Sequence, residues 1–283
     1  MLDHSGVLYL CATPIGNLED MTYRAVRILQ EVDLIAAEDT RHTRKLLSHF
    51  AIHTRLISYH EHNKVTRGEE IIELLLAGQA VAVVSDAGLP GISDPGSDLV
   101  ALAVQAGIKV VPVPGANAAL SALVSSGLDT TVFSFLGFLP KNKKKRRELL
   151  VSFSVTPYTM IVYEAPHRMR QTLEELKKAW GDRPAVAARE LTKKFEEFLR
   201  GTLESLAIYF TNNEPRGEFT LLVGGHKPDA VIAGEKKEEL LPVVEAVRAL
   251  MLAGKPKKEA IRCIAQQRGV PKRQVYQAAL EIE

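Results

Sequence analysis

Short, wholly apolar runs alternate with amphipathic stretches along the first 112 residues, and this rhythm narrows the possible folds more than any other feature of the chain. Val7–Ala12, Asp33–Ala37, Leu56–Tyr59, Ala80–Val84 and Ile108–Val113 read as strands. Helices are expected from Thr22 onward and over Thr40–Phe50, Gly68–Leu76 and Asp98–Ala106. Strands without a polar face suit a parallel sheet covered by helices on both sides. From Pro114 to Gly225 the alternation continues, with strands expected at Thr131–Leu136, Tyr158–Tyr163, Pro184–Ala188 and Phe219–Val223. The helices of this part are expected at Ala118–Ser125, Arg147–Phe153, Arg168–Ala179 and Ser205–Phe210. The pattern predicts α/β domains over 1–112 and 113–226, a connector at Lys227–Glu235 and a helical module over 236–283.

Composition excludes several classes. With 283 residues, 46% hydrophobic and 25% charged, the chain has the make-up of a soluble globular protein, so wholesale disorder, collagen and coiled coil are set aside. A net charge of +2 creates no global field that demands a nucleic-acid partner, so any such partner must be met by local clusters. Two cysteines, Cys11 and Cys263, are too few for a disulfide framework or a thiolate cage. No apolar run approaches the roughly 20 residues that cross a bilayer, and no basic segment followed by a long apolar one opens the chain. The expectation is a reduced, cytoplasmic protein without a membrane span.

The chemistry is concentrated in bends that follow strands, where open α/β sheets place their ligands. These are Ala12-Thr13-Pro14-Ile15-Gly16-Asn17-Leu18, Ser85–Gly96, and Val113-Pro114-Gly115-Ala116-Asn117-Ala118-Ala119. An isolated Pro-Gly bend is ordinarily only a surface turn. Several at the ends of neighbouring strands point to one crevice, because Gly and Pro let the main chain approach a ligand closely. The Gly-rich phosphate loops of dinucleotide and nucleoside triphosphate enzymes are absent, and so is a complete nucleophile elbow around Ser93. A carboxylate, Asp86, set among apolar and main-chain groups suits a ligand with a cationic end and an aromatic body.

These bends, with Ala37-Glu38-Asp39-Thr40-Arg41, Gly137-Phe138-Leu139-Pro140, Tyr163-Glu164-Ala165-Pro166-His167-Arg168 and Ala188-Arg189-Glu190-Leu191-Thr192-Lys193, resemble one family over essentially the whole chain. That family is the bacterial small-subunit (16S) ribosomal RNA cytidine 2′-O-methyltransferases, a branch of the tetrapyrrole methylase superfamily. The resemblance implies a two-domain α/β fold, with a parallel-sheet N-terminal domain and a mixed-sheet second domain, plus the small all-helical C-terminal module. It further implies a homodimer that holds S-adenosyl-L-methionine in the cleft between its domains and acts on 16S ribosomal RNA or the small ribosomal subunit. Carried over by position, the cofactor would touch Pro14, Asp86, Leu89, Asn117, Ala118, Tyr163, Glu164, Phe219 and Thr220. Leu89 stands where the family has a threonine, which changes one side-chain contact.

Methyl transfer to a ribose hydroxyl needs alignment and a proton acceptor or alkoxide stabiliser, but no metal. Candidates for that work are Glu38, Asp39, Glu164 and Lys193. Each has a plainer reading: Asp39 as a helix cap, Glu164 as part of a strand-to-helix junction, Lys193 as one side of an ion pair. Five of the eight histidines cluster as His42, His49, His53, His60 and His62; His60-Glu61-His62 lacks the i, i+4 helical spacing of a zinc hydrolase and an obvious third ligand, and these histidines are expected to face solvent or RNA.

Two basic clusters point to RNA. Lys141, Lys143, Lys144, Lys145, Arg146 and Arg147 form one, at a helix start where cations oppose the macrodipole. Within residues 251–275 of the tail, Lys255, Lys257, Lys258, Arg262, Arg268, Lys272 and Arg273 stand against Glu259 alone. There, Lys257–Arg268 and Pro271–Leu280 predict a helix-turn-helix pair with Pro271 in the first helical position and Ile261, Ile264, Ala265, Val270, Val275, Ala279 and Leu280 as its core. Arg41 completes the expected RNA contacts, with Arg44 as a second cation of a possible phosphate clamp. Two other functions compete: methylation of a small tetrapyrrole, for which the basic clusters would be useless, and a non-catalytic RNA-binding assembly role, which needs no cofactor.

Overall fold

The computed structural model describes residues 6–227, 243–252, 255–268 and 270–280. Met1–His226 form one compact unit and Lys227–Glu283 a second. The expected connector, apart from Lys227, and the expected start of the tail over 236–242 lie outside the described residues.

The first sheet joins β1 (Val7–Cys11), β2 (Leu34–Ala37), β3 (Leu56–Ser58), β4 (Val81–Val84) and β5 (Lys109–Val113) in the order β3-β2-β4-β1-β5. Every pairing in it is parallel. The strands β2 and β4 are buried throughout, as their apolar sequences require. Helices α1 (Tyr23–Glu31), α2 (Thr40–His49), α3 (Lys64–Leu76) and α4 (Gly96–Gln105) connect them. One core face is built from Leu29, Ile35 and Leu47, the other from Tyr59, Ile71, Leu75 and Leu99. Because β1 lies between β4 and β5, the bends after these strands emerge side by side at the carboxyl edge of the sheet.

The second sheet has the order β6-β7-β10-β8-β9 and contains β6 (Phe133–Phe138), β7 (Thr159–Glu164), β8 (Pro184–Arg189), β9 (Glu197–Thr202) and β10 (Phe219–Val223). It is mixed: β6 and β7 are parallel, and the remaining pairs are antiparallel. Helix α5 (Ala118–Ser126) covers one face through Ala119, Ala122 and Leu123. On the other face, α6 (Lys143–Ser152), α7 (Met169–Trp180) and α8 (Leu203–Asn212) pack Leu150, Leu173, Leu176 and Phe210 into the core.

Three local expectations change. Helix α3 begins at Lys64, four residues before Gly68: Lys64 bridges Glu61 at 2.9 Å and Asp98 at 2.6 Å, and Gly68 is an interior position where a β-carbon would lie 3.1 Å from Leu102. Helix α6 likewise starts earlier than Arg147, because Asn142 accepts the N–H groups of Lys144 and Lys145 at 3.0 and 3.1 Å. Strand β9 has no counterpart in the sequence reading. It is a half-exposed edge strand carrying Glu197, Arg200 and Gly201, too polar to stand out from a loop.

The second unit contains α9 (Val243–Leu252), α10 (Lys257–Arg268) and α11 (Lys272–Ala278). Val247, Ala260, Ile261, Ile264, Ala265, Val275 and Ala279 form its core. Leu280, expected inside, is 61% exposed, and Pro271 caps α11 instead of opening it, which ends the buried stripe at Ala279. Of the expected turn, Val270 is described and Gly269 is not.

Candidate functional site

The bends after β1, β4 and β5 meet. The Thr13 N–H donates to the Gly88 carbonyl at 2.9 Å, and the Gly88 N–H returns the bond to Thr13 at 3.0 Å. The Ala12 N–H reaches the Val113 carbonyl at 3.2 Å, tying the first bend to the third. Gly88 has φ of +82°, a conformation that residues with side chains rarely adopt, although a β-carbon there would make only ordinary contact with Ile15 at 3.4 Å and the Ala116 carbonyl at 3.5 Å. A residue with a side chain would thus strain the junction of all three bends.

Together they wall a cavity of about 500 Å³, within the range of small-molecule sites. Asp86, Leu89, Asn117 and Ala118 line it from the bends, and Tyr163, Glu164, Phe219 and Thr220 line it from the second sheet. The pairing of β7 with β10 places Phe219 opposite Glu164 and Thr220 opposite Tyr163, so four residues distant in sequence form one wall. The Ala119 N–H donates to the Tyr163 hydroxyl at 3.2 Å, and burial raises the pKa of that phenol. Asn117 caps α5 by accepting the Leu120 N–H at 2.9 Å. Pro14 lies elsewhere: it lines a neighbouring cavity of about 220 Å³, and Ile15 takes its place in the larger one.

Sequence reading missed Ile15, Phe138, Leu191 and Glu218 as lining residues. Phe138 and Leu191 fall within the motifs already quoted, but nothing local distinguishes a side chain facing the cavity from one beside it. Backbone strain marks the wall: Ser93 has φ of +67°, and Leu191 sits between Glu190 at +51° and Thr192 at +67°. For a β-branched residue such as Thr192 that conformation is uncommon and has to be held by its surroundings.

The cavity is acidic. Glu38, Asp86, Asp94, Glu164 and Glu218 all reach it, but they are not equivalent. Asp94 fastens its own loop, accepting the N–H groups of Gly91 and Gly96 at 2.8 Å each. Glu164 is buried and saturated: it accepts from the Thr172 hydroxyl at 2.5 Å and the Ala165 N–H at 2.9 Å, with the Arg168 guanidinium 3.4 Å away. Glu218 binds Lys193 at 2.9 Å. Asp86 accepts the Asp39 main-chain N–H at 3.0 Å through one oxygen. Glu38 accepts the Asp86 main-chain N–H and has no ion-pair partner among the described residues; burial, reinforced by the charges of Asp86 and Asp94, lifts its pKa above the ordinary carboxylate value.

The other candidates stand outside this cavity. Asp39 caps α2, accepting the Arg41 N–H at 2.8 Å, and pairs with the Arg41 guanidinium at 2.8 Å, which holds its pKa far below normal. The same pair engages Arg41. Lys193 bridges Glu190 at 3.0 Å and Glu218, and it packs so close to Gly16 that a β-carbon there would lie 2.4 Å from the lysine chain.

Of the first basic cluster, Lys141, Lys143, Lys144, Lys145 and Arg147 are exposed, but Arg146 is a correction. It is buried, forks onto Glu175 at 2.5 and 2.8 Å and donates to the Pro140 and Lys141 carbonyls at 3.0 and 3.2 Å. The planar guanidinium is occupied in fastening α6 to α7 and is closed to RNA. Arg146→Ala is expected to lower stability by about 2 kcal/mol, since it strands a carboxylate and two carbonyls. Thermal unfolding checks this, with Lys145→Ala as a neutral control. In the second unit, Lys258, Lys272 and Arg273 are exposed, and Lys257 is half-exposed. Among the described residues, no group of three or more His, Cys, Asp or Glu is arranged to hold a metal ion, and no helix is long and apolar enough to cross a membrane.

Comparison with known proteins adds a lineage. Residues 7–207 match the family model of Tetrapyrrole (Corrin/Porphyrin) Methylases, and residues 238–283 match the RsmI C-terminal HTH domain. The chain is 51% identical over 280 residues to the Ribosomal RNA small subunit methyltransferase I of Halalkalibacterium halodurans, covering 97% of this chain and 94% of that protein. It is 52% identical over 279 residues to the protein of the same name from Synechocystis sp., covering 98% and 99% of the two chains. Among solved structures, uroporphyrin-III C-methyltransferase from Thermus thermophilus, complexed with S-adenosyl homocysteine, shares the fold. That similarity has a TM-score of 0.56 and 20% identity, over 77% of this chain and 97% of that one.

Proposed function

Because the chain belongs to the tetrapyrrole methylase family, we propose that it is the methyltransferase of small-subunit ribosomal RNA, with the ribose 2′-oxygen of a cytidine as acceptor. The observation that carries this reading is the acidic cavity where the three bends converge. S-adenosylmethionine carries a cationic sulfonium and a cationic amine, and its size and charge fit a 500 Å³ space lined by Asp86 and Glu38. When bound, it supplies an electrophilic methyl group on a positively charged sulfur.

The protein's share is binding, alignment and proton removal. Tyr163, Phe219 and Leu89 offer apolar surface, and Asp86 offers a carboxylate oxygen to a cationic end. Glu38 is the proton acceptor of the reading. With the donor held in the cavity, the Glu38 carboxylate would take the proton of the attacking 2′-hydroxyl, and its raised pKa would make that acceptance more favourable at neutral pH. Holding the reacting atoms in line can contribute roughly 7–11 kcal/mol. The reading includes a homodimer in the cytoplasm, in keeping with the exposed Val132, Phe133 and Phe138 at and beside the edge strand β6.

Incubating the protein with small ribosomal subunits and methyl-labelled S-adenosylmethionine, then digesting the RNA to nucleosides, tests the assignment. Label in 2′-O-methylcytidine is the expected result; label on a base, or none in RNA, contradicts it. The exposed lysines of α6 supply phosphate contacts. Neutralising Lys143, Lys144 and Lys145 together should weaken RNA binding about tenfold near physiological salt and flatten its dependence on salt by roughly two contacts. An unchanged slope in a filter-binding titration would move the RNA surface elsewhere.

A further inference from the structure

The smaller cavity shares a wall with the larger one, since Asp86 lines both. Its lining differs by adding basic side chains to that shared carboxylate. Pro14, Leu18 and Leu46 make it apolar, and His42 and Lys45 bring nitrogen donors from α2, three residues apart and therefore on one face of the helix. Leu18 is 41% exposed, an apolar side chain left to solvent beside the cavity. His42 and Lys45 form no ion pair with any described residue, whereas Arg41 on the same helix is engaged by Asp39. At about 220 Å³ the space suits a single nucleoside unit better than a folded cofactor.

We propose that this cavity is the acceptor-nucleotide subsite, in which His42 and Lys45 hold an RNA phosphodiester next to the reacting ribose. The inference rests on the RNA methylation reading above and adds where the acceptor docks. Two facts favour a phosphate here. The acidic cavity repels RNA phosphates, so the polyanion needs a cationic seat immediately outside it. The shared Asp86 wall makes this the adjoining seat, and Pro14, Leu18 and Leu46 offer sugar and base an apolar surface. Carboxylates line the larger cavity for a cationic donor, and across the shared Asp86 the nitrogen groups of His42 and Lys45 are placed to meet an anionic acceptor.

The test is the double variant His42→Ala/Lys45→Ala, assayed on small ribosomal subunits alongside wild type, with S-adenosylmethionine binding followed by calorimetry. KM for the subunit should rise about tenfold, its salt dependence should lose about one phosphate contact, and cofactor affinity should stay at the wild-type value. Lys45→Arg should keep most of the wild-type KM. Unchanged KM and salt slope in a pair of enzymes that both methylate RNA would overturn the subsite and leave the methylation reading intact. Loss of cofactor affinity in the double variant would assign the two side chains to the donor site and overturn it as well. If wild type transfers no methyl group to RNA, the underlying reading fails, and the subsite with it.

Discussion

Glu38→Gln is expected to lower kcat about 10²- to 10⁴-fold while leaving S-adenosylmethionine affinity within a few fold of wild type. The substitution keeps shape and hydrogen bonding but removes the ability to take a proton. Among the cavity carboxylates, Glu164, Asp94 and Glu218 are committed to Thr172, the Gly91–Gly96 turn and Lys193, whereas Glu38 meets the Asp86 main-chain N–H and Asp86 that of Asp39, and neither has an ion-pair partner among the described residues. Its pH behaviour provides a second readout. Burial and the Asp86 and Asp94 charges raise the Glu38 pKa, so activity should fall with decreasing pH at a higher pH than an ordinary carboxylate would give. That limb should vanish in the glutamine variant. The stability sign is opposite to the activity sign. A pKa raised by folding means that stability from this group is complete below its unfolded pKa and is lost as pH rises through the folded one, so Glu38→Gln should unfold at a higher temperature than wild type at neutral pH. An undiminished kcat, or a pH profile identical to wild type, would remove Glu38 from the chemistry.

Asp86→Ala is expected to weaken S-adenosylmethionine binding about a hundredfold, near 2.7 kcal/mol, the scale of one hydrogen bond to a charged group. Asp86 also accepts the Asp39 main-chain N–H, which steadies the start of α2. Asp86→Asn keeps an acceptor oxygen for that bond and removes the charge. Calorimetry should show it nearly as impaired as alanine if charge attraction dominates, with thermal stability closer to wild type than the alanine variant's. Wild-type affinity in both variants would exclude Asp86 from the donor site.

Much of the fold was legible because its signals are local. The strands β2 and β4 are apolar on both faces, and a run such as Val81–Val84 has no other comfortable place than the middle of a covered sheet. The Gly/Pro bends were legible for the same reason, and so was their position after strands. Strand β9 was not, since its partner β8 supplies the hydrogen bonds that make Glu197–Thr202 a strand. Arg146 was read with its neighbours as one more cation, and only the packing of α6 on α7 turned it inward to Glu175.

The amino-acid pattern alone determined the alternation of strands and helices, the sites of the bends and the families of side chain available for chemistry, because periodicity and backbone permissiveness are properties of neighbours in the chain. Tertiary structure alone decided which of those side chains is free to act. Thr172 silences Glu164, Arg41 and the α2 cap occupy Asp39, and Lys193 is spent between Glu190 and Glu218, while Glu38 keeps a desolvated carboxylate among like charges. Burial and competition for partners are set mainly by groups brought together from elsewhere in the chain, so no local stretch of sequence carries them.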